Sequence, residues 1–116
     1  MKRIVAAFFN SLSAIGFGWR SETALREEMI VFAASLAVAP LLTLSPWKLA
    51  AMWGSLLLVL AVEFLNTGIE KVADRVTRDH DELVRIAKDC GSAAVLATLL
   101  VAAMVWGIAV WESIAG

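Results

Sequence analysis

The chain has no tyrosine, one cysteine (Cys90), one histidine (His80) and two prolines in 116 residues, and only 18% of its residues are charged. One cysteine excludes a disulfide framework and a cysteine-based zinc site. The seven glycines are too few for a collagen-like repeat. A net charge of −1 leaves no basic excess to neutralise a nucleic-acid backbone. No GxxxxGK[ST] phosphate loop, GxGxxG fingerprint or protein-kinase signature is present. Soluble domains carry roughly 25% charged residues. With 60% hydrophobic residues and a mean hydropathy of +0.79, this chain reads as neither a soluble globule nor a disordered segment. A bilayer is its expected solvent.

The charge-free runs set the organisation. Nineteen residues between Glu28 and Lys48 carry no charge, and neither do the 22 from Cys90 to Trp111. At ~1.5 Å per residue the second run reaches roughly 33 Å, enough to cross a hydrocarbon core of about 30 Å. Pro40 and Pro46 interrupt the first run. A helix is therefore predicted from near Ser21 to about Leu44, followed by a tight turn in which Ser45 caps a helix starting at Pro46. That helix stays apolar from Leu49 to Val62 and continues past Glu63. Upstream, Ile4, Val5, Phe8, Leu12, Ile15 and Trp19 recur at helical spacing among Lys2, Arg3, Asn10, Ser11 and Ser13. This pattern predicts an amphipathic helix lying in the membrane interface. A signal peptide fits less well, because the stretch Ile4 to Phe9 is short and no small-residue cleavage site closes it. The expected architecture is all-α, a single membrane domain over residues 1–116. It comprises a surface helix (about 2–19) and three transmembrane helices (about 22–44, 46–75 and 84–113), with Thr77 to Glu82 as a loop.

Nine of the ten lysines and arginines fall before the first span or between the second and third; Lys48 is the exception. The positive-inside rule then puts the N-terminus and the 66–89 segment in the cytoplasm and the C-terminus outside, with Trp47 and Trp111 at the outer interface. Ten of the 11 acids lie on the same cytoplasmic side. Glu63, Asn66, Glu70 and Asp74 stand at i, i+3, i+7 and i+11, along one helix face. Val62, Phe64 and Leu65 flank Glu63, and a carboxylate at such depth marks function unless the helix has simply emerged into headgroups. Glu22, Glu27 and Glu28 open the first span, where the helix dipole alone would favour them. Glu22 and Glu70 at one membrane face could share a magnesium ion completed by water or phosphate oxygens. Lys88-Asp89 heads the third span, where the lysine could meet phosphate and Asp89 could hold it in position. The same pair also suits an interfacial anchor and N-cap.

The run Glu63-Phe64-Leu65-Asn66-Thr67-Gly68-Ile69-Glu70-Lys71-Val72-Ala73-Asp74-Arg75, then Glu82-Leu83 and Ala87-Lys88-Asp89-Cys90-Gly91-Ser92-Ala93-Ala94-Val95-Leu96, closely resembles the prokaryotic integral-membrane diacylglycerol kinases. Trp19, Glu22, Ala24, Arg26 and Glu28 match the segment before that family's first span. The resemblance implies a homotrimer in the bacterial inner membrane, with sites shared between neighbouring subunits. It also implies transfer of the γ-phosphate of MgATP to the primary hydroxyl of diacylglycerol, giving phosphatidic acid and ADP in phospholipid recycling. By the same resemblance Glu63 is the general base and binds substrate, Asn66 orients groups around the phosphate, and Glu22 and Glu70 hold magnesium. Asn10, Glu22, Glu70, Asp79, His80, Asp81, Lys88 and Asp89 would contact nucleotide. Arg3, Ser11, Leu12, Trp19, Ser92 and Trp106 would line the lipid site. The sequence departs from the family's pattern at Glu27, often Gln, so Glu22, Glu27 and Glu28 are three candidates for the first metal carboxylate, with Glu22 the one the alignment favours; it departs also at Asn10 and His80, where aromatics are common.

The sequence leaves three rival readings. The related undecaprenol kinases typically carry A-A-G-A-V where this chain has Gly91-Ser92-Ala93-Ala94-Val95. A small proton-coupled transporter would also embed an acid such as Glu63, but would not gather Glu70, Asp74, Lys88 and Asp89 at one rim. A structural subunit packed through Gly91, Ala94 and Gly107 leaves the E-x-x-N-x-x-I-E face unexplained.

Overall fold

The computed structural model describes residues 1–116 as four helices: α1 (Lys2–Ser21), α2 (Thr23–Leu42), α3 (Pro46–Val76) and α4 (Glu82–Ala115). Glu22 alone separates α1 from α2, in extended conformation. Pro40 lies in the last turn of α2, where it removes the bond to the carbonyl four residues back, and the Thr43 N–H still closes that end on Ala39 O at 3.1 Å. Pro46 occupies the first position of α3 as expected, but the Ser45 side chain makes no capping bond. The Ser45 N–H instead donates to Thr43 Oγ1 at 3.1 Å, so the turn is held by threonine. The break between α3 and α4 covers Thr77 to Asp81, and Asp81 Oδ1 accepts from the Val84 N–H at 3.0 Å as the N-cap of α4. Lys88 and Asp89 therefore do not head a helix; they lie almost two turns inside one.

The helices α3 and α4 form a long antiparallel hairpin, and both are long and apolar enough to cross a membrane. In α2, Arg26, Glu27 and Glu28 occupy the early turns, leaving Met29 to Leu42, roughly 21 Å of uncharged helix. Small residues let the hairpin close: Ala73, Gly91, Thr98, Ala102 and Ala109 are buried along it. Ala39, Met52 and Ala109 form a compact cluster, ringed by Leu42, Leu49, Trp53, Val105 and Trp106. The indole N–H of Trp106 donates to Met52 O at 3.1 Å and that of Trp53 to Ser35 O at 3.0 Å, tying α4 to α3 and α3 to α2. Buried hydroxyls bond their own helices, as with Ser55 Oγ to Met52 O at 2.8 Å and Thr98 Oγ1 to Val95 O at 2.7 Å.

Only 15 of the 116 residues are buried, and long apolar side chains face outward from all four helices. Such a surface is stable against lipid or further protein, not against water. On α1, Ile4, Phe8, Leu12, Ile15 and Trp19 all point away from the bundle. That helix meets α2 at Gly18, where a Cβ would stand 2.9 Å from Leu25 Cδ1 and 3.3 Å from Met29 Cε. At the opposite end of the hairpin Lys48 pairs with Glu112, next to the exposed Trp47 and Trp111.

Candidate functional site

The helical phase of α3 puts Glu63, Asn66 and Glu70 on one face, and Gly91 of α4 packs against it at Asn66. Glu63 and Asn66 retain only 9% and 8% of their accessible surface. Asn66 Nδ2 donates to Glu70 Oε1 at 3.3 Å. A Cβ on Gly91 would collide with Asn66 Oδ1, so a larger residue there forces the Asn66 amide to move. Three buried polar oxygens have no hydrogen-bond partner: Glu63 Oε2, Asn66 Oδ1 and, from α2, Glu28 Oε2. Glu28 and Glu63 lie within electrostatic reach of each other, and Glu63 also within reach of Glu70 and Glu22. Glu28 of α2, Glu70 of α3 and Glu22 at the break before α2 thus share one electrostatic neighbourhood around Glu63. Buried acceptors left without donors are strongly unfavourable, and a bound cation or a donor from a substrate resolves them.

Two lysines border this cluster. Lys71 Nζ meets Glu22 Oε1 at 2.9 Å and lies 5.5 Å from the Phe17 ring centroid. Lys88 Nζ donates to Asp74 Oδ1 at 2.7 Å, bridging α4 and α3. Asp89 does not hold Lys88, contrary to expectation. Neighbours in sequence face different sides of a helix, and Asp89 pairs with Arg85 Nη1 at 2.7 Å, while Arg85 also pairs with Glu82. Arg26 donates to Trp19 O at 2.8 Å and Arg20 O at 3.3 Å, satisfying carbonyls at the end of α1.

The remaining residues singled out from the sequence are placed less tightly. The Asp81 carboxylate is engaged as a helix cap, and Asp79 and His80 are exposed in the loop, with the Asp79 N–H donating to Thr77 Oγ1 at 3.1 Å. Arg3, Asn10, Ser11 and Leu12 are exposed on α1, where Ser11 Oγ donates to Ala7 O at 2.9 Å. No hydrogen bond or ion pair within the chain joins them to Glu63 or Asn66. Trp19 and Ser92 are exposed, whereas Trp106 is half-buried with its N–H engaged by Met52. No three His, Cys, Asp or Glu side chains stand close enough to cage a metal unaided. An open apolar groove of about 620 Å³ lies between α3 and α4, lined by residues such as Leu65, Ile69, Val72 and Leu83.

The tie from Asp74 to Lys88 and the packing of Gly91 on Asn66 were not read from the sequence. Both pairs lie nearly equidistant from the α3–α4 loop, as do Met52–Trp106 and Lys48–Glu112. That mirror register was the available signal.

Against this geometry the similarities to known proteins are specific. The family model for prokaryotic diacylglycerol kinase matches residues 9–110. The diacylglycerol kinase of Escherichia coli (strain K12) is 36% identical over 110 residues, covering 95% of this chain and 90% of that protein. The diacylglycerol kinase of Pseudomonas aeruginosa is 38% identical over 106 residues, covering 91% of this chain and 86% of its own. That of Helicobacter pylori is 32% identical over 110 residues, with 91% and 83% covered. The match spans Glu63, Asn66, Glu70, Lys88 and Gly91, the residues that the fold gathers, and the chain belongs to the prokaryotic diacylglycerol kinase family.

Proposed function

We propose that the chain is an ATP-dependent diacylglycerol kinase whose chemistry is performed at the Glu63–Asn66–Glu70 face of α3. The observation that carries this reading is a buried Glu63 with an unpartnered oxygen, beside an amide oxygen in the same state, at a point where two long apolar helices meet. A lipid hydroxyl supplies the donor that Glu63 Oε2 lacks. Glu63 takes the hydroxyl proton as the oxygen attacks the γ-phosphorus and the bond to the β–γ bridging oxygen breaks. The products are phosphatidic acid and ADP, which suits a role in phospholipid recycling. Asn66, fixed between Glu70 and Gly91, orients the reacting groups.

The donor set fits magnesium, which takes one or two carboxylates and completes its shell with water and substrate phosphates. Glu22 and Glu70 would hold it, and when bound it neutralises charge on the phosphate oxygens. Lys88, held by Asp74, presents its ammonium to the nucleotide phosphates as a point charge. Asp89, the Asp79–His80–Asp81 loop and Asn10 complete the nucleotide side. Arg3, Ser11, Leu12, Trp19, Ser92 and the Trp106 ring line the lipid side.

The outward apolar surface supports a multi-pass protein of the bacterial inner membrane, forming one domain over residues 1–116. In this reading α2, α3 and α4 span the bilayer, α1 lies in its interface, and the N-terminus is cytoplasmic with the C-terminus outside. Sites built from neighbouring copies in a homotrimer would bring α1 of one subunit to the Glu63 face of another. The test is to incubate the detergent-purified protein with γ-labelled ATP, magnesium and either diacylglycerol, undecaprenol or no lipid. Labelled phosphatidic acid is expected. Label on undecaprenol alone would assign the related polyprenol activity, and no magnesium-dependent lipid label would remove the kinase reading.

A further inference from the structure

Glu22 is the single residue between α1 and α2, with φ −121° and ψ 110°. Short polar side chains such as Asp or Ser at a helix N-cap accept from an N–H of the first turn. Glu22 makes no such bond. Its carboxylate reaches α3 instead, where Lys71 Nζ lies 2.9 Å from Oε1. Glu22 is only 24% exposed at its side chain and lies within electrostatic reach of Glu63, so the lysine offsets a carboxylate that would otherwise face its own kind. The Lys71 side chain is 57% exposed and has other partners in reach. The Phe17 ring is 5.5 Å from the ammonium, and Asp74 lies one turn further along α3 within its electrostatic field.

An ammonium and a divalent cation on one carboxylate repel each other at a separation of a few ångströms. Whichever cation arrives second must displace the first or bind more weakly. We propose that Lys71 is a positioning residue that occupies the Glu22 carboxylate until a divalent cation takes it, the ammonium then withdrawing toward Phe17 and Asp74. This rests on the reading of Glu22 as a metal ligand. Lys71 thereby keeps Glu22 turned toward α3 without metal and raises the cation concentration needed to fill the site.

The test uses the full chain in detergent micelles without nucleotide or lipid, titrated with Mn²⁺ and followed by loss of the free-ion electron paramagnetic resonance signal. Removing the charge in Lys71→Met and Lys71→Gln should tighten Mn²⁺ binding by about three- to tenfold, as expected for relief of one unit of like charge near the surface. Lys71→Arg should bind as the wild type does. Glu22→Gln should weaken binding, and in that background Lys71→Met should have no further effect. Unchanged or weaker Mn²⁺ binding in both neutral Lys71 variants overturns the proposal, as does tighter binding in Lys71→Arg. If Glu22→Gln leaves Mn²⁺ binding unaltered, Glu22 is not a metal ligand and both the proposal and the reading beneath it fall. A loss confined to Glu22→Gln with no Lys71 effect removes the proposal alone.

Discussion

Gly91 of α4 lies against Asn66 of α3 so closely that a methyl group at position 91 would overlap the Asn66 amide oxygen. The contact is where the hairpin fixes the orientation of the residue beside Glu63. Gly91→Ala should cost about 1–3 kcal/mol of stability through overpacking. It should also reduce turnover by as much as about 100-fold, because a displacement near 1 Å at a positioned group has that effect. Thermal denaturation in detergent and steady-state kinetics on the same sample measure the two effects together. Wild-type kcat in Gly91→Ala would show that Asn66 does not need this support.

Lys88 and Asp74 bridge the hairpin at 2.7 Å, with each side chain partly open to solvent. Lys88→Met should raise the KM for ATP by roughly tenfold, the scale of one lost charge-assisted contact to phosphate. Asp74→Asn keeps the ammonium and loses its anchor, so its KM should rise by less. Equal KM values in all three proteins would remove Lys88 from the nucleotide side.

The Trp106 indole N–H is bonded to Met52 O. Trp106→Phe keeps an aromatic face but loses the donor and part of the indole's packing, which should lower stability by at least about 0.5–1.5 kcal/mol. Trp106→Ala should in addition raise the KM for diacylglycerol, since the ring surface is lost. A melting temperature unchanged in Trp106→Phe would mean that the bond contributes nothing to holding α4 on α3.

Lys48 and Glu112 pair at the end of the hairpin remote from Glu63, both side chains about half exposed. Lys48→Met should change stability by less than about 1 kcal/mol. Turnover should stay at the wild-type value, because no element of the proposed chemistry lies at that end. A large loss of kcat would contradict the assignment of function to one end of the hairpin.

The helices and the polar face of α3 were legible because they depend on local signals. The charge-free runs, Pro46 at a first helical position and the spacing of Glu63, Asn66 and Glu70 need no knowledge of neighbours. Capping and pairing were less legible. Ser45 has the right residue type for a cap, but its side chain makes no capping bond, and its own N–H donates to Thr43 Oγ1. Asp89 is next to Lys88 in sequence yet a different side of α4 presents it to Arg85, while Lys88 finds Asp74 fourteen positions away. Lys71, a lysine beside Glu70, has in the sequence the pattern of an ordinary solvated charge. Its partner, Glu22, lies at the break between α1 and α2, far away in sequence. Side-chain pairing across helices depends on packing register, which composition and periodicity do not encode.

Glu63 as the base that takes the lipid hydroxyl proton is the central claim, and Glu63→Gln tests it most directly. The substitution keeps the size of the side chain and removes its basicity. The measurement is the rate of γ-phosphate transfer to diacylglycerol at saturating ATP and magnesium, with nucleotide binding followed on the same preparation. Turnover should fall by about 10²–10⁴-fold, the usual contribution of a general base, while nucleotide still binds. Transfer at the wild-type rate in Glu63→Gln would contradict the assignment.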